Sequence, residues 1–127
     1  VKMSDEEILF VSGKDDLEDG IKDLWCDGWR ALVVTYGPKG SRFITPEFDG
    51  FVPSYKITAV DATGAGDGCT AGFLSRLLKD PALLGSEEKL RAACAFANAV
   101  GAITATKRGA INALPTEKEV EDFLSAR

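Results

Sequence analysis

Apolar residues recur at helical spacing in the first part of this sequence, and polar capping residues stand where the runs begin. Ser4 followed by Glu7 has the pattern of a capping box, in which each side chain satisfies a free backbone donor of the other. Because this pair directly precedes the apolar run 8–11, we predict a short helix after Ser4. An apolar stripe within residues 15–25 predicts a second helix packed against a core. The stripe consists of Leu17, Ile21, Leu24 and Trp25.

Three further helices are predicted in the second half of the chain. The first follows a glycine-rich segment and is ended by Asp80 and Pro81. Ser86 can cap a long alanine-rich helix, for which residues 107–109 supply a basic end and a left-handed glycine cap. A last helix begins with another capping box at Thr116. The residues that define the first and last of these helices are Phe73, Leu74, Leu77 and Leu78, and Glu119, Val120, Phe123 and Leu124.

The strands are predicted mainly between residues 32 and 60. The continuous apolar run Leu32, Val33 and Val34 is typical of a central strand that is covered on both faces. Residues 37–40 have turn composition, and residues 41–45 can return as a second strand. Further strands are predicted at 48–52 and 56–60. The alternation of strands and helices, without repeats or low-complexity tracts, predicts one contiguous α/β unit.

Composition limits the classes of protein to consider. The 127 residues, 45% of them hydrophobic, can bury one core of ordinary size, and the net charge of -5 disfavours a nucleic acid partner. Three well-separated cysteines without any histidine fit neither a disulfide framework nor a zinc site. No run is long enough to span a membrane and no signal peptide is recognisable. We therefore expect a soluble, intracellular protein in a reducing compartment, with the cytoplasm as the first choice and an organelle as the alternative. Because a helix signal directly follows Val1, we also expect the chain to be a fragment of a longer fold.

The segment 61–68, Asp-Ala-Thr-Gly-Ala-Gly-Asp-Gly, carries the strongest chemical pattern of the chain. Gly64 and Gly66 allow the backbone to turn sharply and to bring its N–H groups against a ligand at the positive end of a helix, which favours phosphate. Asp67, in the first helical turn, could accept a proton from a hydroxyl nucleophile. The local pattern leaves open the alternative of ordinary turn glycines and an acidic first-turn residue.

Two other kinds of glycine loop match less well. A Walker A loop requires a Gly-Lys-Ser/Thr ending, but Gly40 is followed by Ser41 and Arg42. A dinucleotide fingerprint would need its third glycine where Cys69 stands, so it is matched only in part. A dinucleotide-dependent enzyme therefore stays as a weaker alternative.

Four motifs together give the sequence a family resemblance that covers nearly the whole chain. In order, they are residues 34–40, 61–68 and 96–99, and 108–110 leading to 114–116. With these motifs the sequence resembles the ribokinase-like carbohydrate kinases of the PfkB family, and most closely their fructokinases. The resemblance implies a doubly wound α/β/α unit of the ribokinase-like fold, of which residues 1–127 form the C-terminal, nucleotide-binding half. The sugar-binding half of such a kinase is not represented in the chain.

The resemblance also implies roles for individual residues. Asp67 would be the catalytic base, and Gly64, Ala65 and Gly66 would form the anion hole for the transferred phosphoryl group. Asn98 would lie near the adenine of ATP. The nucleotide-binding residues implied are Thr35, Tyr36, Gly37, Pro38, Lys39, Gly40, Gly66, Asp67 and Asn98. The alternative from the residues alone is that 35–40 is only a hairpin turn and Asn98 a polar residue on a helix face.

Two kinds of cation follow from the same resemblance. A monovalent cation, potassium in particular, would lie beside the anion hole, with several of its ligands being backbone carbonyls. Magnesium would arrive with ATP and bridge its phosphates, because the chain shows no dedicated carboxylate cage. The monovalent-cation candidates are Asp61, Thr63, Thr104, Lys107, Gly109 and Ala113.

The expected activity is therefore ATP-dependent phosphoryl transfer to the hydroxyl of a small sugar, with fructose expected, in a full-length parent that could form a homodimer. Gly68 and Cys69 depart from the alanine and aromatic residue common at these positions in fructokinases. This departure predicts a looser helix start and less bulk beside the active site. It also supports an alternative function, a non-catalytic scaffold or subunit that is derived from a kinase and retains the fold.

Overall fold

The computed structural model describes all 127 residues, Val1–Arg127, and contains a four-stranded sheet with helices on both faces. The strands follow the chain order β1-β2-β3-β4 across the sheet. The first pair is parallel and the other two pairs are antiparallel, so the sheet is mixed. The strands are β1 (Lys2–Ser4), β2 (Leu32–Thr35), β3 (Gly40–Ile44) and β4 (Asp49–Pro53).

Five α-helices cover this sheet. Two of them pack on one face, two pack on the other, and the last packs on the outside of the fourth. The helices are α1 (Asp5–Ser12), α2 (Leu17–Leu24), α3 (Ala65–Lys79), α4 (Glu87–Ala105) and α5 (Glu117–Ser125). Three short 3-10 helices lie at Gly37–Lys39, Pro81–Gly85 and Ile111–Ala113.

Strand β2 lies between the two helical layers, as its apolar run predicted. Side chains alternate across a strand, so Leu32 and Val34 pack with Ile8 and Ile21 of α1 and α2. Val33 points to the other face and packs with residues of α4. The predicted α/β/α arrangement is confirmed.

Both predicted capping boxes are present. The Glu7 carboxylate accepts from the Ser4 N–H at 2.7 Å, and the Glu7 N–H donates to Ser4 Oγ at 3.1 Å. Thr116 and Glu119 make the same pair of bonds at 2.7 and 3.3 Å. These short-range signals are reliable because the bonds join residues only three positions apart.

The prediction of a strand at residues 56–60 is wrong. The N–H groups of Val60 and Asp61 donate instead to the carbonyl of Ala105 at the end of α4. A fifth strand could extend the sheet at the free edge of β4, but Arg91 donates to the Phe51 carbonyl of this strand at 2.9 Å, and Asn98 donates to the Val52 carbonyl at 3.0 Å. Side chains of α4 thus bond the strand edge that the segment would need.

The predicted end of α4 also needs correction. The helix ends at Ala105, followed by Thr106 in a right-handed conformation. Gly109 does have a left-handed φ of 88°, but it lies in the turn beyond the helix.

No helix combines the length and apolar character needed to cross a lipid bilayer.

Candidate anion-binding site

The start of α3 is shaped by Gly64, the N-cap residue, which has a left-handed φ of 79°. A Cβ at this position would lie only 2.8 Å from the Cβ of Ala110. Glycine is therefore favoured here both by the backbone conformation and by the lack of space. The glycine loop of the sequence is a sharp turn that leads directly into a helix.

Three backbone donors at this turn are free. The N–H of Ala65 donates to Ala62 O at 3.1 Å, but the N–H groups of Gly64, Gly66 and Asp67 have no acceptor within the protein. Free N–H groups at a helix start, together with the helix dipole, form a favourable environment for an anion. The turn can bind phosphate through these three donors. Ala65 is part of the same turn, but its N–H is already bonded and is not available to a ligand.

The side chain of Asp67 is exposed and makes neither a hydrogen bond nor an ion pair within the protein. Its carboxylate lies in the first turn of α3, beside the free donors. An unpaired carboxylate at this place can accept a hydrogen bond from a hydroxyl group and then its proton.

A lysine that the sequence did not single out lies close to the turn. The Nζ atom of Lys2 is 3.4 Å from the position that a Cβ on Gly66 would occupy. The lysine belongs to β1 and its side chain makes no salt bridge. Only the parallel pairing of β1 with β2 brings this residue to α3, and no local pattern in a three-residue strand could have shown it.

Asp61 joins the turn to a distant loop. Its carboxylate accepts from the Thr63 N–H at 2.9 Å and from the Gly109 N–H at 3.1 Å. The hydrogen bonds from Thr63, and after them the bond from Gly109, hold the pKa of Asp61 below its usual value. The carboxylate therefore stays ionised while it fixes the loop.

The six predicted monovalent-cation residues fall on two adjoining segments, 60–64 and 104–113. Hydrogen bonds from Val60 and Asp61 to Ala105, and from Gly109 to Asp61, hold the segments together. The hydroxyl of Thr104 is buried and donates to Val100 O. Lys107 Nζ lies 3.8 Å from Glu119, which leaves only its backbone for a cation. Asp61 supplies the one carboxylate among them, and Thr63, Gly109 and Ala113 complete the set.

Residues 35–40, the predicted nucleotide-binding segment, lie at the carboxyl end of β2. They form the hairpin turn to β3, closed by a bond from Tyr36 N–H to Gly40 O at 2.9 Å. The Lys39 carbonyl accepts from Ser54 N–H at 3.0 Å, which anchors the turn beyond β4. Gly37, Pro38 and Lys39 are exposed, so they are accessible to a ligand.

Asn98 is buried on α4. Its amide donates to Val52 O at 3.0 Å and to Pro53 O at 3.4 Å. These bonds tie α4 to the edge strand β4, a role that the sequence did not show. A contact between Asn98 and adenine stays a prediction.

Gly68 does not face the open side of the turn, so the expected loss of bulk beside the active site is wrong for this residue. This glycine is buried against α4, where a Cβ would lie 2.9 Å from Thr104 Oγ1. Cys69 is also buried, and burial raises its pKa. The pair forms a close helix contact, and the helix start is tightly packed rather than loose.

Two cavities lie near these residues, but neither includes residues 64–67 or 35–40. One of about 580 Å³ lies between the end of α4 and α5. The other, of about 360 Å³, begins at Lys2, Cys69 and Thr70 next to the turn. Most of its remaining lining is apolar, with Trp29, Phe73, Leu74, Leu77 and Leu84 among the residues.

Comparisons with known proteins identify the family to which the chain is similar. The family described as pfkB family carbohydrate kinase matches residues 1–117. Fructokinase-2 of Zea mays is 45% identical over 126 residues, which are 98% of this chain and 38% of the relative. The chain thus spans well under half the length of the curated relatives it matches.

Solved structures give the same result. A fructokinase from Vibrio cholerae O395, in fructose, ADP and calcium ion bound form, has a TM-score of 0.89 and 33% identity over 98% of this chain and 40% of its own. An aminoimidazole riboside kinase from Salmonella enterica, complexed with aminoimidazole riboside and an ATP analog, has a TM-score of 0.84 and 32% identity over 98% of this chain and 41% of its own.

Proposed function

The chain belongs to the pfkB family of carbohydrate kinases, and we propose that it is the C-terminal, nucleotide-binding half of an ATP-dependent kinase that phosphorylates a sugar hydroxyl. In this proposal, residues 1–127 supply the ATP site, the anion hole and the catalytic base. The remainder of the full-length protein supplies the sugar site.

The observation that carries this proposal is the combination found at the start of α3. Free N–H groups of Gly64, Gly66 and Asp67 lie in the same turn as an unpaired carboxylate. Phosphoryl transfer passes through a loose transition state in which charge on the phosphoryl oxygens must be stabilised while the acceptor hydroxyl is held in line. The amides can serve the first requirement and the Asp67 carboxylate the second.

Asp67 acts in the proposed reaction as the base. Its carboxylate accepts the proton of the sugar hydroxyl as the new oxygen–phosphorus bond forms and the bond to the leaving ADP oxygen breaks. Its position beside the anion hole also orients the hydroxyl toward the phosphorus atom.

Lys2 adds a positive charge on the same side of the turn. Its ammonium group lies next to Gly66 and makes no salt bridge. We assign it to the transferred phosphate, whose equatorial oxygens need cationic partners in the transition state. This gives the site one flexible cation in addition to its fixed backbone donors.

The exposed hairpin turn at residues 35–40 is proposed to line the nucleotide, because ligands of open α/β sheets bind outside the carboxyl ends of the strands. Asn98 would act from α4, near adenine. Since its amide already donates to Val52 and Pro53, its remaining oxygen is the group available for a ligand.

Magnesium would enter with ATP, and no group of three or more His, Cys, Asp or Glu side chains offers a preformed metal cage. Potassium fits the donor chemistry of the two joined segments, which offer the Asp61 carboxylate and backbone carbonyls around it. A cation there would stabilise the loop that supports the anion hole.

The sugar is proposed to be fructose, since fructokinases are prominent among the similar proteins. The aminoimidazole riboside kinase has nearly the same identity to this chain as the Vibrio cholerae fructokinase, 32% against 33%, so we expect residues outside this chain to decide the acceptor. The free edge of β1 and the apolar cavity beside Trp29 and Leu74 are where we expect the rest of the domain to pack.

The proposal is tested with the full-length protein by measuring ADP release from ATP with fructose and with aminoimidazole riboside as acceptors. Replacement Asp67→Asn should lower kcat by at least about 100-fold, the usual contribution of a catalytic base. Asp23→Asn, an exposed carboxylate on α2 without partners, serves as the matched control and should leave kcat unchanged.

Nucleotide binding is measured separately by calorimetry with ATP and ADP on the chain of 127 residues. A sugar turnover that survives in Asp67→Asn would reject the assigned base. A folded full-length protein that neither binds ATP nor turns over would reject the kinase and support the scaffold function.

A further inference from the structure

The cavity between the end of α4 and α5, here named the α4–α5 cleft, carries more positive than negative side chains. Three cations line it, Lys56, Lys107 and Arg127, together with one carboxylate, that of Glu119. The whole chain has a net charge of -5, so this local surplus runs against its overall charge. A cleft lined mainly by one sign of charge attracts ligands of the opposite sign, because its walls concentrate the field.

The one carboxylate of the cleft is already bonded. Glu119 accepts from the Thr116 N–H at 2.7 Å and lies 3.8 Å from Lys107 Nζ. The bond from Thr116, and after it the charge of Lys107, holds the pKa of Glu119 below its usual value. Lys56 and Arg127 make no salt bridge. Two of the three cations are therefore available to an anion.

The remaining wall of the cleft is partly apolar. Ile57, Ile103 and Phe123 line it, and all three are half-buried. The guanidinium of Arg127 lies over the Phe123 ring, 4.0 Å from the ring centroid. A stacked guanidinium keeps its N–H donors in its own plane, where an anion can reach them. The volume of about 580 Å³ is that of a typical pocket for a small molecule.

The α4–α5 cleft is separate from the candidate anion-binding turn. It includes none of residues 35–40 or 64–67, and it does not include Asn98. It is bordered by Thr58, three residues before Asp61, and by Thr106, directly after α4. A ligand in the cleft would thus contact the two segments that contain the candidate cation residues, without occupying the proposed ATP site.

We propose that the α4–α5 cleft is a second anion site, which binds the phosphate monoester of a small molecule with a planar ring. The phosphate accepts hydrogen bonds from Lys56 and Arg127, and the ring packs on Ile57 and Ile103. This site does not depend on the proposed kinase function, because none of its residues belongs to the proposed ATP site.

Phenyl phosphate is the probe, titrated into the isotope-labelled chain and followed by the amide resonances in NMR spectra. Thr58 and Thr106 report on the cleft, whereas Gly64 and Gly66 report on the turn in the same titration. We expect the resonances of Thr58 and Thr106 to shift along a saturable curve that gives the Kd of the cleft. Raising the salt concentration from about 50 mM to about 500 mM should weaken this binding, because salt screens exposed charges.

The double variant Lys56→Ala/Arg127→Ala should raise the Kd of the cleft by about 10-fold, since two charged donors are lost. It should leave the Kd at the turn unchanged, and Lys2→Ala should have the opposite selectivity. Lys118→Ala is the matched control, because Lys118 is an exposed cation of α5 outside the cleft, and it should change neither Kd. Lys107 is kept in all variants because its backbone belongs to the candidate cation site.

The two halves of the probe separate charge from apolar contact. Inorganic phosphate should bind the cleft more weakly than phenyl phosphate, because it lacks the ring, and phenol should not bind there. Cleft resonances that do not respond to phenyl phosphate, or a Kd of the cleft that the double variant does not change, would overturn the second site. Phenol binding as tight as that of phenyl phosphate would also overturn it. Absence of binding at Gly64 and Gly66 alone would instead count against the proposed function and leave the second site intact.

Discussion

The carboxylate of Asp61 accepts a hydrogen bond from the backbone N–H of Gly109, which lies 48 residues further along the chain, at 3.1 Å. The same carboxylate accepts from Thr63. One side chain thus joins the loop before α3 to the loop after α4. The position of the candidate anion-binding turn at residues 64–67 therefore depends on both ends of the helix pair.

This relationship predicts a pH-dependent stability. A carboxylate whose pKa is lower in the folded chain stabilises the fold above its unfolded pKa, and this contribution disappears as the pH falls through the folded value. For Asp61 the usual value is 3.8 and the folded pKa lies below it. We expect Asp61→Asn to lower Tm at pH 7, and the difference from wild type to shrink below about pH 4.

The measurement is calorimetric unfolding from pH 7 down to the lowest pH at which the chain refolds. Asp27→Asn, an exposed carboxylate without a hydrogen bond, is the control and should follow wild type. A difference for Asp61→Asn that stays constant or grows on acidification would contradict the assigned bond.

The left-handed N-cap predicts a cost for Gly64→Ala. Backbone strain at a positive φ and the contact with Ala110 should together lower the free energy of unfolding by about 2–3 kcal/mol. Gly13→Ala is a useful reference, since Gly13 has a φ of 67° but open space around it. This variant should cost about 1 kcal/mol in urea unfolding. Similar costs for the two variants would show that Ala110 does not restrict the turn.

The position of Lys2 predicts a role in binding phosphate. Lys2→Ala should weaken ATP binding by about 10-fold, the usual effect of removing a hydrogen bond to a charged group. Lys2→Arg should retain part of the affinity because it keeps the charge. Lys14→Ala, on an exposed loop, should leave the ATP Kd unchanged in calorimetry. Unchanged affinity in Lys2→Ala would remove this lysine from the proposed site.

The buried amide of Asn98 predicts a structural cost. Asn98→Ala leaves the Val52 and Pro53 carbonyls without this donor, and should lower the free energy of unfolding by about 1–3 kcal/mol. Urea unfolding gives the value, with Asn112→Ala, an exposed residue, as the control. A stability equal to that of wild type would mean that the two bonds contribute nothing.

The cysteines predict a selective reaction with thiol reagents. Burial raises the pKa of Cys69, and it raises the pKa of Cys94 to about 12. Cys26 is exposed. At pH 8 a disulfide reagent should therefore modify Cys26 rapidly in the native chain, and all three cysteines only after unfolding, because the thiolate is the reactive form. Rapid loss of more than one thiol from the native protein would contradict this burial.

The helices and their starts could be predicted from the sequence, because their signals act over three or four residues. Ser4 with Glu7, and Thr116 with Glu119, each complete their bonds within one turn. The glycine loop was recognisable for a similar reason, since Gly64 adopts the left-handed backbone conformation that glycine favours. The prediction of a strand at 56–60 was wrong. Side chains of α4 bond the free edge of β4, to which such a strand could have paired.

Other features were decided by the tertiary structure alone. Lys2 reaches the candidate anion-binding turn only through the pairing of β1 with β2, and Gly68 meets Thr104 only because α3 packs on α4. Local patterns describe how each segment satisfies its own backbone and its apolar face. They contain no information on which distant side chain fills the space beside a given atom, and in this chain that space determines where Asp67 and its neighbouring donors lie.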